Sequence, residues 1–336
     1  MKALVLRDIG SLDKMSYEDV EFPIAKAGEA IVRIKAAALN HRDLWIILGL
    51  YAKIKVPVIL GSDGAGEVVS VGDQKDEGLV GCQVVIHPSL NWGSDSRAQG
   101  KDFTILGMPD NGTLAEYVVV PVNNLFAKPV YLSDEEAAAL PLGGLTAFRA
   151  IFVNGKITKD ETVLITGIGG GVAALAMQMA LATGAKVLVT SGSDEKIQRA
   201  VRAGAVYGVN YLESEAFKKL AAESEKYGGI DLIIDSAGGK GFGELLALIK
   251  PGGRIVNFGA TAGNPESLDL RKIFWKQLTI QGSTMGTRDD FKNMLAFCET
   301  YRIIPFVDQL FSFKDFVSAF QRMRDAIQFG KIVLKP

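Results

Sequence analysis

Apolar residues arrive in short bursts over the first third of the chain. The runs MKALVL, EAIVRIKAAAL, GEVVSVG, VGCQVVIH and TLAEYVVV have strand length and are punctuated by glycine and proline, which predicts a β-rich segment. Between them NHRDLWIIL (40–48) places Leu44, Ile47 and Leu48 at i, i+3, i+4 spacing, the pattern of an amphipathic helix. At SDEEAAALP (133–141) the texture changes: Ser133 followed three residues later by Glu136 forms a capping box and opens a helix. Strand and helix patterns then alternate. TVLIT (162–166), KVLVT (186–190), VYGVN (206–210), IDLIID (230–235), GRIVNF (253–258) and QLTIQG (277–282) are continuous apolar runs. Helical stretches near 171–183, 194–203, 213–226 and 239–249 separate the first five. Continuous strands interleaved with helices predict a parallel sheet covered on both faces, the α/β doubly wound arrangement that binds dinucleotides. The tail adds a helix at 288–300, a strand FVDQLF, an amphipathic helix near 313–327 and a last strand KIVLK.

Composition narrows the function classes. The chain has 336 residues, 48% hydrophobic and 22% charged, with formal net charge −1, so no basic surface advertises a nucleic-acid or membrane partner. MKALVLRDIG meets a charge after too few apolar residues for a secretory segment, and VAALAMQMALA (172–182) is shorter than a membrane span. Cys82 and Cys298 are the only cysteines, which excludes a disulfide framework and fits a reducing, cytoplasmic setting.

The chemistry concentrates at TVLITGIGGGVAALAMQ (162–178). Gly167, Gly169, Gly170 and Gly171 directly follow a strand and open a helix, the context in which glycines let the backbone approach a pyrophosphate. The first helical amides, near Gly171 and Val172, then point at the phosphates together with the positive end of the helix dipole. The spacing G-x-G-G-G-x-A misses the strict G-x-G-x-x-G by one residue, with Ala173 at a small-residue position. At the end of the second strand an NAD site carries an acid for the ribose hydroxyls. Here Thr190 and Ser191 stand there, Ser193 reads as the cap of the next helix, and Lys196 follows; small hydroxyls plus a cation suit a 2′-phosphate, hence NADP(H).

Seven stretches carry a family resemblance over essentially the whole chain: ALNHRDLWIILG (38–49), ILGSDGAGEVVSVG (59–72), DNGTLAEYVVVP (110–121), EEAAALPLGGLTAFRA (135–150), the glycine turn, KPGGRIVNFGA (250–260) and QFGKIVL (328–334). The chain resembles a medium-chain dehydrogenase/reductase. That resemblance implies a GroES-like β-barrel catalytic domain (1–131 and 283–336) around a Rossmann nucleotide-binding domain (132–282), with an active site in the cleft between them. It implies further coenzyme contacts at Thr146, Tyr211, Ser236, Ala237, Phe258, Gly259, Ala260, Ser283, Thr284, Met285 and Lys331. It also implies a homodimer joined along the sixth strands of two nucleotide domains. Zinc-dependent members place a cysteine where this chain has Asn40, a histidine where it has Ser62, and a third ligand near Leu142. The stretch matching their structural-zinc lobe, SLNWGSDSRAQGKDF, has no cysteine. Independently of the family, two cysteines and two histidines at 41, 82, 87 and 298 lack the paired spacing of a zinc site, so no metal is expected.

Without a Lewis acid, hydride transfer to an already activated acceptor is the natural chemistry, and the zinc-free branch that the chain resembles is the quinone oxidoreductase-like group. There Asn40, Asp43 and Tyr51 correspond to catalytic-cleft residues: Asn40 an amide donor, Asp43 an orienter, Tyr51 a phenol donor or proton source. Each has an ordinary alternative, as a helix cap, a first-turn acid and a half-buried loop aromatic. His41 reads as a surface residue and His87 as a structural one. The expected function is an NADPH-dependent, zinc-independent reductase of quinones or α,β-unsaturated carbonyls. The alternatives are a metal-free aldehyde or ketone reductase and a non-enzymatic NADPH-binding redox sensor.

Overall fold

Strands from the two ends of the chain meet in one sheet. The computed structural model describes Met1–Pro336, and the chain divides into a first unit of Met1–Leu145 with Gly286–Pro336 and a second of Thr146–Met285. In the first unit the long strand Glu29–Ala38 pairs antiparallel with Asp63–Val71, Tyr117–Pro121 and the C-terminal strand Lys331–Lys335. Two register pairs and one backbone bond matter for the site: Ala38 faces Asp63 on one side and Val333 on the other, and Leu39 donates its amide to Ile332 O. Residues far apart in sequence are thereby brought to the single turn after Ala38. A smaller sheet of Met15–Asp19, Lys2–Leu6 and Val58–Ile59 completes the unit. Its core gathers Leu4, Leu6, Val32, Ile34, Ile46, Ile86, Leu114, Phe313 and Phe320. Burial of such side chains is worth about 1.5–3 kcal/mol each.

The second unit is the parallel sheet that the apolar rhythm predicts. From edge to edge its strands are Tyr207–Asn210, Lys186–Ser191, Thr162–Ile165, Ile230–Asp235, Ile249–Asn257 and Thr279–Gly282, every pairing parallel. In chain order this is 3-2-1-4-5-6, the dinucleotide-binding order, with the switch point beside Thr162–Ile165. Leu164, Leu188, Ile233 and Ile255 face the helices Ala216–Glu225 and Phe242–Leu248. Their strand neighbours Val163, Val187, Leu232 and Val256 are equally buried, so both sheet faces are covered.

Ser133 caps the helix Asp134–Ala138 through the expected capping box with Glu136, and a second helix, Pro141–Phe148, follows and runs on as a π-helical turn, Arg149–Asn154. Pro141 forces the break, because proline cannot donate within a continuing helix. Other elements differ from expectation. Met15–Asp19 carries too few apolar residues to be read as a strand, yet it pairs along the whole of Lys2–Leu6. The unit boundaries fall at 145/146 and 285/286 rather than 131/132 and 282/283. The physical reason is that Asp134–Ala138 packs on Glu29–Ala38 and Asp63–Val71. No helix is long and apolar enough to cross a membrane.

Candidate functional site

The glycine turn sits between the strand Thr162–Ile165 and the helix Gly171–Ala182. Gly167 has φ +66° and Gly169 φ +146°, backbone that residues with a Cβ rarely adopt. Gly170 is the helix N-cap and supplies no side-chain bond, so the first helical amides, at Gly171 and Val172, have no partner within the helix. A Cβ on Gly169 would lie 2.8 Å from Lys196 Cδ and 3.2 Å from its Nζ, so the lysine lies directly over the turn. Two neighbouring peptides are fixed by Thr190, whose carbonyl accepts from Ile168 N at 2.8 Å and whose hydroxyl accepts from Gly167 N at 3.4 Å. Backbone concavity, unpaired amides and an adjacent cation together fit a diphosphate.

At the end of the second strand, Ser191 Oγ accepts from Ser193 N, and Ser193 Oγ caps the next helix by accepting from Lys196 N at 3.4 Å. Tyr211 donates its amide to Ser191 O, and its hydroxyl would come within 2.9 Å of a Cβ on Gly192. Asp194, the first carboxylate after the strand, accepts from Asn210 Nδ2 at 2.9 Å. The end of the strand thus presents hydroxyls, an aromatic ring and an ammonium, with its nearest acid engaged. Ser236 and Ala237, Phe258 to Ala260, and Ser283 to Met285 likewise follow the carboxyl ends of parallel strands, where ligands bind in open sheets. Met285 is buried, as is Thr146, whereas Ala260 and Thr284 are exposed.

Sequence reasoning missed the residue that organises these ends. Asp235 is buried, accepts from Thr166 Oγ1 at 2.7 Å and Asn257 Nδ2 at 2.9 Å, and caps Ala237 N and Gly238 N. Its signal was an acid closing the apolar run IDLIID, where an unpaired carboxylate is too costly to bury.

In the first unit the turn after Ala38 carries a second polar cluster. Asn40 precedes the helix His41–Ile47 as its N-cap, in a capping box with Asp43, and its side chain also has two partners outside the helix. Asn40 Oδ1 accepts from Lys331 Nζ at 2.6 Å, and Asn40 Nδ2 donates to Asp63 Oδ2 at 3.0 Å. Lys331 Nζ also lies 2.8 Å from Asp63 Oδ2, and Asp63 Oδ1 accepts from Leu142 N at 2.7 Å. All three side chains are buried. Asp43 takes the capping work: its carboxyl accepts from Asn40 N at 2.8 Å and Gly61 N at 3.3 Å. Burial raises the pKa of Asp43 above the usual carboxylate range, against the pull of Arg42 and the Asn40 amide.

Arg42 and Asp63 are the residues missed here. Arg42 Nη1 donates to Ser62 Oγ at 2.8 Å and Leu106 O at 3.0 Å, while its guanidinium lies 5.4 Å from the Tyr51 ring centroid. Tyr51 is half-buried against the core, its face covered by that cation. In sequence the signal for Asp63 was a carboxylate alone among small residues in LGSDGAG. His41 is half-buried with its ring 6.0 Å from Trp45. Residues 91–108 form a small lobe with Trp92 buried edge-on against Phe103 at 5.3 Å.

The donor set does not fit a catalytic zinc. Asn40, Ser62 and Leu142 offer an amide, a hydroxyl and an alkyl group, and the first two are already bonded to Lys331 and Arg42. No group of three or more His, Cys, Asp or Glu side chains converges anywhere in the chain.

Comparison with known proteins agrees with this architecture. Residues 26–130 match the alcohol dehydrogenase GroES-like domain and residues 171–300 the zinc-binding dehydrogenase domain. A zinc-type alcohol dehydrogenase-like protein of Schizosaccharomyces pombe is 32% identical over 100% of this chain and 99% of its own. An acryloyl-coenzyme A reductase of Sulfurisphaera tokodaii is 32% identical over the full length of both chains. A crystal structure of an NAD-dependent alcohol dehydrogenase superposes with a TM-score of 0.93 at 35% identity, covering 100% of both chains. With its GroES-like unit, its 3-2-1-4-5-6 parallel sheet and full-length relatives at this identity, the chain belongs to the medium-chain dehydrogenase/reductase superfamily of oxidoreductases.

Proposed function

We propose that the protein is an NADPH-dependent, zinc-independent oxidoreductase that delivers hydride to a quinone or an α,β-unsaturated carbonyl, and that it works as a homodimer. The observation that carries this reading is that Asn40, which the family resemblance puts where zinc-dependent members have a cysteine ligand, is bonded with Asp63 to the Lys331 ammonium. Bound NADPH supplies the hydride. The chain's own residues then have three tasks. The amides from Gly171 and the Lys196 ammonium bind the phosphates. An N–H of Asn40 stabilises negative charge growing on the acceptor oxygen. The Tyr51 hydroxyl is the proton source that completes reduction. Ser191 in place of an acid, with Asp194 engaged by Asn210 and Lys196 one turn into the next helix, supports NADPH over NADH. The acryloyl-coenzyme A reductase relative supports the enone class, because an acryloyl thioester is an α,β-unsaturated carbonyl.

A second reading, metal-free reduction of an aldehyde or ketone, is favoured by the NAD-dependent alcohol dehydrogenase neighbour. One set of measurements separates them: dissociation constants for NADPH and NADH, and coenzyme oxidation with 9,10-phenanthrenequinone, an enone and an aromatic aldehyde. The expected result is tighter NADPH binding with turnover of quinone or enone. Lys196→Met should weaken NADPH at least tenfold, about 1.4 kcal/mol, and weaken NADH by a smaller factor, because only the diphosphate is common to both. Equal or tighter NADH binding overturns the coenzyme choice. Turnover of aldehyde alone selects the second reading, and tight binding without turnover selects a redox sensor.

A further inference from the structure

An asparagine amide can present either of its ends, and the groups that face it decide which. Lysine carries only donors and an ionised aspartate only acceptors. Around Asn40 the two stand on opposite sides: Lys331 Nζ is 2.6 Å from Oδ1 and Asp63 Oδ2 is 3.0 Å from Nδ2. The 2.8 Å contact between Lys331 and Asp63 closes the ring of bonds. A reversed amide would aim N–H at an ammonium and a carbonyl oxygen at a carboxylate, so only one orientation survives. Both partners are themselves fixed. Asp63 starts the strand Asp63–Val71 and accepts from Leu142 N, and Lys331 starts the strand Lys331–Lys335 beside Ala38. Asn40 Nδ2 makes one bond, to Asp63, and retains a second N–H.

We propose that Lys331 is a positioning residue that, with Asp63, locks the Asn40 amide so that its second N–H is the one offered to the acceptor oxygen. The inference rests on the reading of Asn40 as the oxygen-binding donor. It moves Lys331 away from the coenzyme, where family resemblance put it, and gives it a role at Asn40 instead.

The test is a double-mutant cycle of N40A and K331M, read as kcat and KM with the NADPH dissociation constant measured in parallel. K331M should lower kcat by the same factor as N40A, at least tenfold, with NADPH binding changed less than twofold. The double variant N40A/K331M should be no slower than N40A, because Lys331 acts only through that amide. Multiplying losses overturn the inference, as does a K331M defect confined to NADPH binding. If K331M alone does not fold, D63N/K331M leaves no unpaired buried carboxylate; it should lose kcat as N40A does, and wild-type kcat in it overturns the inference. Should the wild-type chain reduce neither quinone nor enone, the proposed reaction fails, and hydrogen exchange of the Asn40 side-chain amide judges the lock separately. Exchange should quicken at least tenfold in K331M, and equal rates overturn it.

Discussion

His87 shows what a single buried side chain does to the whole chain's response to acid. Its Nδ1 accepts from Asn124 Nδ2 at 3.1 Å, and its ring packs edge-on against Phe291 with centroids 4.8 Å apart. Burial is the largest influence and pushes the imidazole down from 6.5 to about 4, helped by nearby Arg288 and opposed by backbone carbonyls. Between those two values the unfolded chain binds a proton that the folded one refuses. Stability supplied by neutral His87 is therefore complete above about pH 6.5 and lost as pH falls toward 4. At about 1.4 kcal/mol per pH unit the drop is worth about 3 kcal/mol. Urea unfolding of the wild type and His87→Leu at pH 7 and pH 4.5 should show the wild type losing roughly 2–3 kcal/mol more than the variant; parallel losses would contradict the assignment. His87 was legible as structural, because it ends a strand before Pro88. Asn40 was legible as the residue at a helix entry, but its bonding partners were not. Its partners Asp63 and Lys331 lie 23 and 291 residues away, and only strand register brings them together.

At the scale of elements, the strand–turn–helix around Gly169 was the most readable part, because its signals are local: a buried strand, glycines and a helix start. The side chain over the turn was not readable, since Lys196 reaches Gly169 only once the second strand pairs beside the first. The same local logic failed where a polar strand, Met15–Asp19, borrowed its pairing from Lys2–Leu6. Gly169→Ala combines two costs, a side chain at φ +146° and a collision with Lys196 Cδ. It should raise the NADPH dissociation constant at least tenfold and cost about 1–2 kcal/mol of stability. Gly252→Ala is the control: its φ is +76° and an added Cβ meets nothing within 4 Å. It should show a comparable stability loss, about 1 kcal/mol, and unchanged coenzyme affinity. If both variants bind NADPH like the wild type, the turn does not hold the phosphates.

At the scale of the whole molecule, the open edge of the parallel sheet is the feature that one chain leaves unresolved. Thr279–Gly282 pairs on one side only, with Ile249–Asn257, and all four of its residues are exposed. An uncovered edge offers unpaired amides and carbonyls to any passing strand, and natural proteins cover or blunt it. The helix that precedes this strand in the chain exposes large apolar side chains beside Arg271: Trp275 is 83% exposed, Phe274 65% and Leu270 67%, with Ile280 on the strand itself. Apolar side chains beside an unpaired strand fit a partner that is a second copy, because a two-fold axis lets the same patch bury itself. Burying aromatics of this size contributes more than the strand bonds alone, since each covers about 150–250 Å². Light scattering of the wild-type chain should therefore give twice the chain mass. The pair Trp275→Glu with Ile280→Lys should give the single-chain mass, with NADPH affinity retained, since neither residue lies at the glycine turn. A wild-type monomer would remove the homodimer, and a variant that stays dimeric would place the interface on another surface.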